Sequence, residues 1–180
     1  MPVSLEVSGE LYVPLIRHLL RPHGVDEEAA FLFTRSVSSD RGLRLVAEES
    51  ILLAPDAFSF RSARYLELTD LTQRMLIKRA HELGAGLVEV HSHPKFGAEF
   101  SGSDKQGLRE FVPHVWWRLK GKPYAAIVVA PHGFDALAWV ADPRVPQMLE
   151  SMLVDGVTKH PTGLSLPRWD EEDEHVRESF

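Results

Sequence analysis

The stretch His91-Ser92-His93-Pro94, with Ser101 and Asp104 following it, constrains this chain more than any other. Histidines at i and i+2 leave an extended strand on the same face. Just upstream, Gly86-Leu87-Val88-Glu89-Val90 is a short apolar run, bounded by Leu83-Gly84-Ala85-Gly86 and by Pro94. That is the pattern of a buried strand ending at the histidines. Ser103 with Gln106 reads as a capping box, so a helix is predicted to begin near Asp104. The helix dipole favours an aspartate in a first turn as the anion. Two imidazoles and a carboxylate from consecutive elements are the three N/O side chains that a hydrolytic zinc site uses, with one position left open. The inference rests on the whole string, because His-x-His alone also occurs at ordinary strand ends.

The string resembles the JAMM motif of the JAMM/MPN metalloproteases, in its prokaryotic branch: His-Ser/Thr-His-Pro, then a Ser and, three residues later, an Asp. Residues 91 to 104 match without a departure. The resemblance implies zinc held by His91, His93 and Asp104, and Ser101 stabilising a tetrahedral intermediate. The family's catalytic Glu lies near the first core strand, commonly as Glu-x-x-Gly-x-Leu. Laying Ala29-Ala30-Phe31-Leu32-Phe33 on that strand makes Glu28 the match, with Phe31 where glycine is usual, and Glu27 as the alternative. Glu48, Glu49 and Glu89 are further carboxylates to place. Glu89 shares a strand face with both histidines, where it would orient a ligand.

Composition narrows the function. The 180 residues, 44% of them hydrophobic, suit one domain plus an extension. A net charge of −6 argues against a nucleic-acid partner, and the absence of cysteine removes disulfides, thiolate zinc sites and a thiol nucleophile. No apolar run reaches the roughly 18 residues of a membrane span, and Met1 to Glu6 lacks a signal peptide's basic-then-apolar order. A cytoplasmic protein without membrane attachment is expected. His18, His81, His114 and His132 have no ligand spacing to one another and read as surface or hydrogen-bonded histidines.

Along the chain, the apolar stripe from Leu11 to Leu20 predicts a helix ended by Pro22 and Gly24. Ala29 to Ser36 and Leu43 to Leu53 predict a hairpin about Ser38 to Gly42. Residues 54 to 68 look irregular. Asp70 with Gln73 opens a helix that Gly84 closes. A further helix runs from about Asp104 towards Trp117, with Pro113 as a candidate break, one of Trp116 and Trp117 facing inward. Tyr124 to Ala130 and Phe134 to Val140 predict a second hairpin. Gln147 to Val154 reads as a short helix, Lys159 to Pro167 as a linker, and Arg168 to Ser179 as an acidic tail or, through Trp169, a docking element.

This order is similar to that of an MPN core over residues 5 to 142. The expected fold is α/β (α+β-like), a mixed sheet flanked by helices, with a zinc metalloprotease domain over 1–145 and a short helix and acidic tail or linker over 146–180. The resemblance implies an isopeptidase or peptidase acting after the C-terminal Gly of a ubiquitin-like protein, in deconjugation or precursor processing. A ThiF-like activating enzyme would stand in the same pathway. The alternatives are release of an amino acid from a sulfur-carrier protein and a non-catalytic scaffold that binds a partner protein. Barrel hydrolases that begin with His-x-His need roughly 200 to 250 residues or more and further ligands.

Overall fold

Val3-Ser4-Leu5-Glu6-Val7 alternates apolar and polar residues, and it forms the strand β1 (Val3–Val7) with Val3, Leu5 and Val7 buried. The computed structural model describes residues 1–171. It continues through α1 (Gly9–Leu19), the hairpin β2 (Ala29–Ser39) and β3 (Gly42–Leu52), the ribbon β4 (Phe58–Arg61) and β5 (Leu66–Leu68), and α2 (Asp70–Leu83). Next come β6 (Gly86–Ser92), α3 (Gly102–Arg118), the hairpin β7 (Tyr124–Ala130) and β8 (Gly133–Trp139), and the short strands β9 (Gln147–Met148), β10 (Ser151–Val154) and β11 (Val157–Lys159). This is the expected α/β class, a single domain built on one mixed nine-stranded sheet ordered β11-β10-β1-β3-β2-β6-β7-β8-β9. Among the described residues no helix is long and apolar enough to cross a membrane.

Strand periodicity divides the core into two layers. On one face Leu5, Ala30, Leu32, Leu45, Val88 and Ile127 pack with Leu15 and Leu19 of α1. On the other, Ala29, Phe31, Phe33, Leu87, Tyr124 and Trp139 pack with Leu76 and Ala80 of α2 and Leu108, Val112 and Val115 of α3. Strands such as β7 are buried on both faces, so they read as unbroken apolar runs.

Several expectations change in detail. Gln147 to Val154 is not a helix: β9 pairs with β8, and β10 lies parallel to β1. Met152 and Val154, two apart, fill the α1 layer, so strand periodicity outweighs helical propensity there. The N-cap of α3 is Ser101, not Ser103. Its Oγ accepts from the Asp104 N–H, and the Asp104 side chain accepts from the Ser101 N–H. α3 runs unbroken through Pro113, since burial of Val112 and Val115 compensates for the lost backbone bond. Thr69, not Asp70, caps α2, and Gly84 closes it in the left-handed region at φ 60°. Trp116 packs on the core while Trp117 is exposed under Arg118. The expected linker beyond Lys159 is fastened to the sheet, and Trp169 is buried against Trp139. Of the acidic tail, residues 172–180 lie outside the described residues.

Candidate metal centre

Strand parity decides which side chains meet. Ala29 of β2 stands opposite His91 of β6 in an antiparallel pair, at the β6 end where Pro94 stops the ladder. Ala29, Phe31 and Phe33 point to the α2/α3 layer, and so do Leu87, Glu89 and His91. Continuing back from Ala29 by two residues puts Glu27 on this face and Glu28 on the opposite one. Asp104 enters from above, because α3 lies on the same layer and its first turn ends over the histidines.

The structure therefore brings together Glu27, His91, His93 and Asp104, with one ligand atom from each lying within 4.8 Å of the others. Among the described residues this is the one such group. Asp104 Oδ2 lies 3.4 Å from His91 Nε2 and 3.2 Å from His93 Nε2, and Glu27 Oε1 lies 3.5 Å from His93 Nε2. His93 Nδ1 sits 3.1 Å from the Gly97 carbonyl, an acceptor only, so Nδ1 donates there and Nε2 is the ring nitrogen turned towards the cluster. Ser101, expected at the site, caps α3 beside it. Its Oγ accepts from the Asp104 N–H at 3.2 Å and lies 3.0 Å from Ser103 Oγ.

Glu28, the first choice for the catalytic carboxylate, is not in the cluster. It faces away, with Oε1 2.5 Å from Arg61 Nη1 and 4.0 Å from Arg21 Nε, and Oε2 3.8 Å from His18 Nε2. Glu27 lies in the cluster instead. The family spacing fits it once alanine is allowed for glycine: Glu27-x-x-Ala30-x-Leu32 keeps both the small residue and the leucine. That pattern, and the parity of the strand, were the signals available. Glu48 pairs with Arg35 and Glu49 with Arg79, both clear of the cluster. Glu89 accepts from the Tyr124 hydroxyl at 2.7 Å, and its other oxygen stands 3.7 Å from His91 Nδ1, beyond hydrogen-bond range.

The electrostatics suit a bound cation. Both carboxylate oxygens of Glu27 and both ring nitrogens of His91 are buried with no hydrogen-bond partner. Such orphans are costly, and a central cation would satisfy all four residues at once. Burial pushes the Glu27 carboxyl up to about 7, with Asp104 adding to the rise and His91 and His93 opposing it. Burial opposes protonation of His91, but Asp104 and Glu89 outweigh it and hold the imidazole well above its ordinary value. Burial likewise disfavours the Asp104 anion, yet His91 and His93 hold its carboxyl well below the usual range. Burial and then Glu89 hold the Tyr124 phenol well above its ordinary value.

These directions set a pH dependence for the metal-free protein. A raised Glu27 takes up a proton on folding, so its contribution declines as pH rises from about 4.5 to about 7. The raised His91 contributes below its ordinary value of 6.5 and loses that contribution as pH rises further, whereas Asp104 contributes above 3.8 and loses it in acid. The chelator-treated protein should thus melt at a lower temperature at about pH 8.5 than at about pH 6, and Glu27→Gln should flatten the difference. Thermal melts across that range check this; an unchanged slope in the variant would contradict it.

Beside the cluster lies a cleft of about 640 Å³, walled by Tyr65, Leu66 and Leu68 on the β5 side and by Leu108, Phe111 and His114 of α3, with His91 and Asp104 in its lining. A family model described as prokaryotic homologues of the JAB domain matches residues 12–140. No curated protein matches the chain.

Proposed function

The chain belongs to the prokaryotic JAB-domain family, and on that premise we propose that it is a zinc-dependent peptidase cleaving after the C-terminal glycine of a ubiquitin-like protein. The observation that carries the reading is the convergence of Glu27, His91, His93 and Asp104 at the side of a cleft, with the polar atoms of Glu27 and His91 buried and without a hydrogen-bond partner. His91, His93 and Asp104 would hold the zinc. The metal would supply Lewis acidity, polarising the scissile carbonyl and acidifying water.

The protein's own groups complete the chemistry. Glu27, with a carboxyl near neutrality, suits a general base that accepts a proton from the attacking water and returns it to the leaving amine. Ser101 Oγ, held beside Asp104 by the helix cap, would donate its proton to the developing oxyanion. Gly97, through its carbonyl, keeps the proton of His93 on Nδ1. Glu89 lies behind His91, fixed by Tyr124.

Strand addition along β5 would hold an extended tail through backbone bonds and lead it down the cleft to the cluster. Glycine lets backbone approach most closely, so a Gly-Gly end suits close approach to the cluster. Ubiquitin-like proteins or their conjugates are the partners this reading requires, and a ThiF-like activating enzyme is their natural source. A scaffold that only binds a partner has no need of four converging metal-type ligands, three of them buried, which favours the catalytic reading.

The test is cleavage of a ubiquitin-like protein joined through its terminal Gly-Gly to a reporter. We expect turnover that a zinc chelator abolishes and added zinc restores, and that a valine in place of the penultimate glycine reduces at least tenfold. Equal cleavage of both substrates would leave a less selective metallopeptidase; no cleavage of any fusion by the zinc-loaded protein would overturn the reading.

A further inference from the structure

The loop between His93 and Ser101 carries the carbonyl that orients one ligand and leads into the helix that carries another, yet it has no strand neighbour of its own. Its support comes from residues 162 to 169, beyond the stretch that the family model matches. Thr162 Oγ1 donates to the Ala98 carbonyl at 2.9 Å, and the Phe100 N–H donates to Ser165 Oγ at 3.0 Å. Ser165 is fully buried, and its own N–H donates to Asp135 Oδ2 at 2.8 Å. Asp135, buried on β8, also accepts from the N–H groups of Ala136 and Gly163 on its other oxygen.

The same segment holds the first turns of α3. Lys105, buried next to Asp104, donates from Nζ to the Arg168 carbonyl at 2.8 Å, and Arg109 donates to the Trp169 carbonyl. Trp169 is seated against Trp139. One strap is therefore bonded on both sides of the His93-to-Asp104 connection, to the loop before the cap and to the helix after it.

From this we infer that residues 162 to 169 are a positioning strap for the metal centre, acting through Ala98 and Phe100 on the Gly97 carbonyl and so on the ring of His93. The inference rests on the zinc reading. Partners one shell outside a metal ligand typically change metal affinity by about 10- to 100-fold when removed. Thr162 and Ser165 act on such a partner, so the lower end of that range applies.

The test uses the full chain with Thr162→Val and Ser165→Ala combined, and Thr162→Ser as the conservative control that keeps the hydroxyl. In the metal-free state, amide exchange at Phe100 and its neighbours should rise at least tenfold in the double variant, with the thermal unfolding transition still cooperative. Zinc affinity, measured by competition with a chromophoric chelator, should fall about tenfold, and the visible absorption of the cobalt-loaded protein should change, both returning to wild type with Thr162→Ser. Faster exchange with unaltered zinc affinity and cobalt spectrum would overturn the positioning role, and unaltered exchange would overturn the strap itself. Failure of the wild-type protein to bind zinc would instead overturn the functional reading, with the exchange result still deciding whether the strap holds the loop.

Discussion

Glu27→Gln should lower hydrolysis by roughly 10² to 10⁴ while leaving zinc bound, the range for losing a general acid/base. Glutamine keeps the size and the buried position but cannot accept the proton. The ligand set of His91, His93 and Asp104 is untouched, so metal content should persist. Glu28→Gln supplies the contrast: that carboxylate is engaged with Arg61, Arg21 and His18 on the far side of the strand, so the change should cost some stability and little turnover. Rates and zinc content of the two variants, measured together, separate base from ligand. A larger loss of turnover in Glu28→Gln, with the fold intact, would show that the strand parity argued from Ala29 opposite His91 does not govern the site in solution.

The neighbouring glutamates show what was legible in the sequence. His91, His93 and Asp104 could be brought together on paper because a strand fixes i, i+2 on one face and a capped helix follows at a fixed distance. The glutamate of the cluster depends instead on parity, where one residue moves the side chain to the other face of the sheet. Ala29 to Phe33 are all buried, so no polar residue within that run reveals which face is which. The family spacing points to Glu27 only when Ala30 is admitted in place of glycine.

Other differences have similar causes. β1, a strand outside the expected order, is five residues long with its alternation as a local signal, and its neighbours are a remote hairpin strand and the late β10, pairings that no local pattern announces. Gln147 to Val154 reads as a helix for the same reason: its short strands exist because β1 and β8 offer edges. Residues 162 to 169 look like a linker because their partners are single polar atoms on Asp135, Ala98 and Phe100, scattered through the chain. α2, with its helical stripe, and β7 and β8, as apolar runs set between turn residues, are legible to within about a residue, since each carries its own boundary signals.

Asp104 combines two duties that substitution should separate. Its carboxylate lies against both histidines, and the same Oδ2 accepts from the Ser101 N–H at 2.8 Å, completing the reciprocal cap of α3. Asp104→Ala removes ligand and cap partner together, so zinc should be lost and the metal-free protein should also melt at a lower temperature, through loss of the Asp104 half of the reciprocal cap and of its contacts with the two histidines. Asp104→Asn keeps an oxygen for the Ser101 N–H but gives up the charge, so zinc should still fall to a small fraction while helix capping is largely retained. His91→Ala tests the third combination, losing zinc without touching the cap. Metal analysis and chelated-state melts on the three proteins would distinguish these effects. Stoichiometric zinc in both His91→Ala and Asp104→Ala would place the metal elsewhere, whereas loss of zinc with equal melting of the two Asp104 variants would show that the cap contributes nothing measurable and that burial under α3 alone fixes the carboxylate.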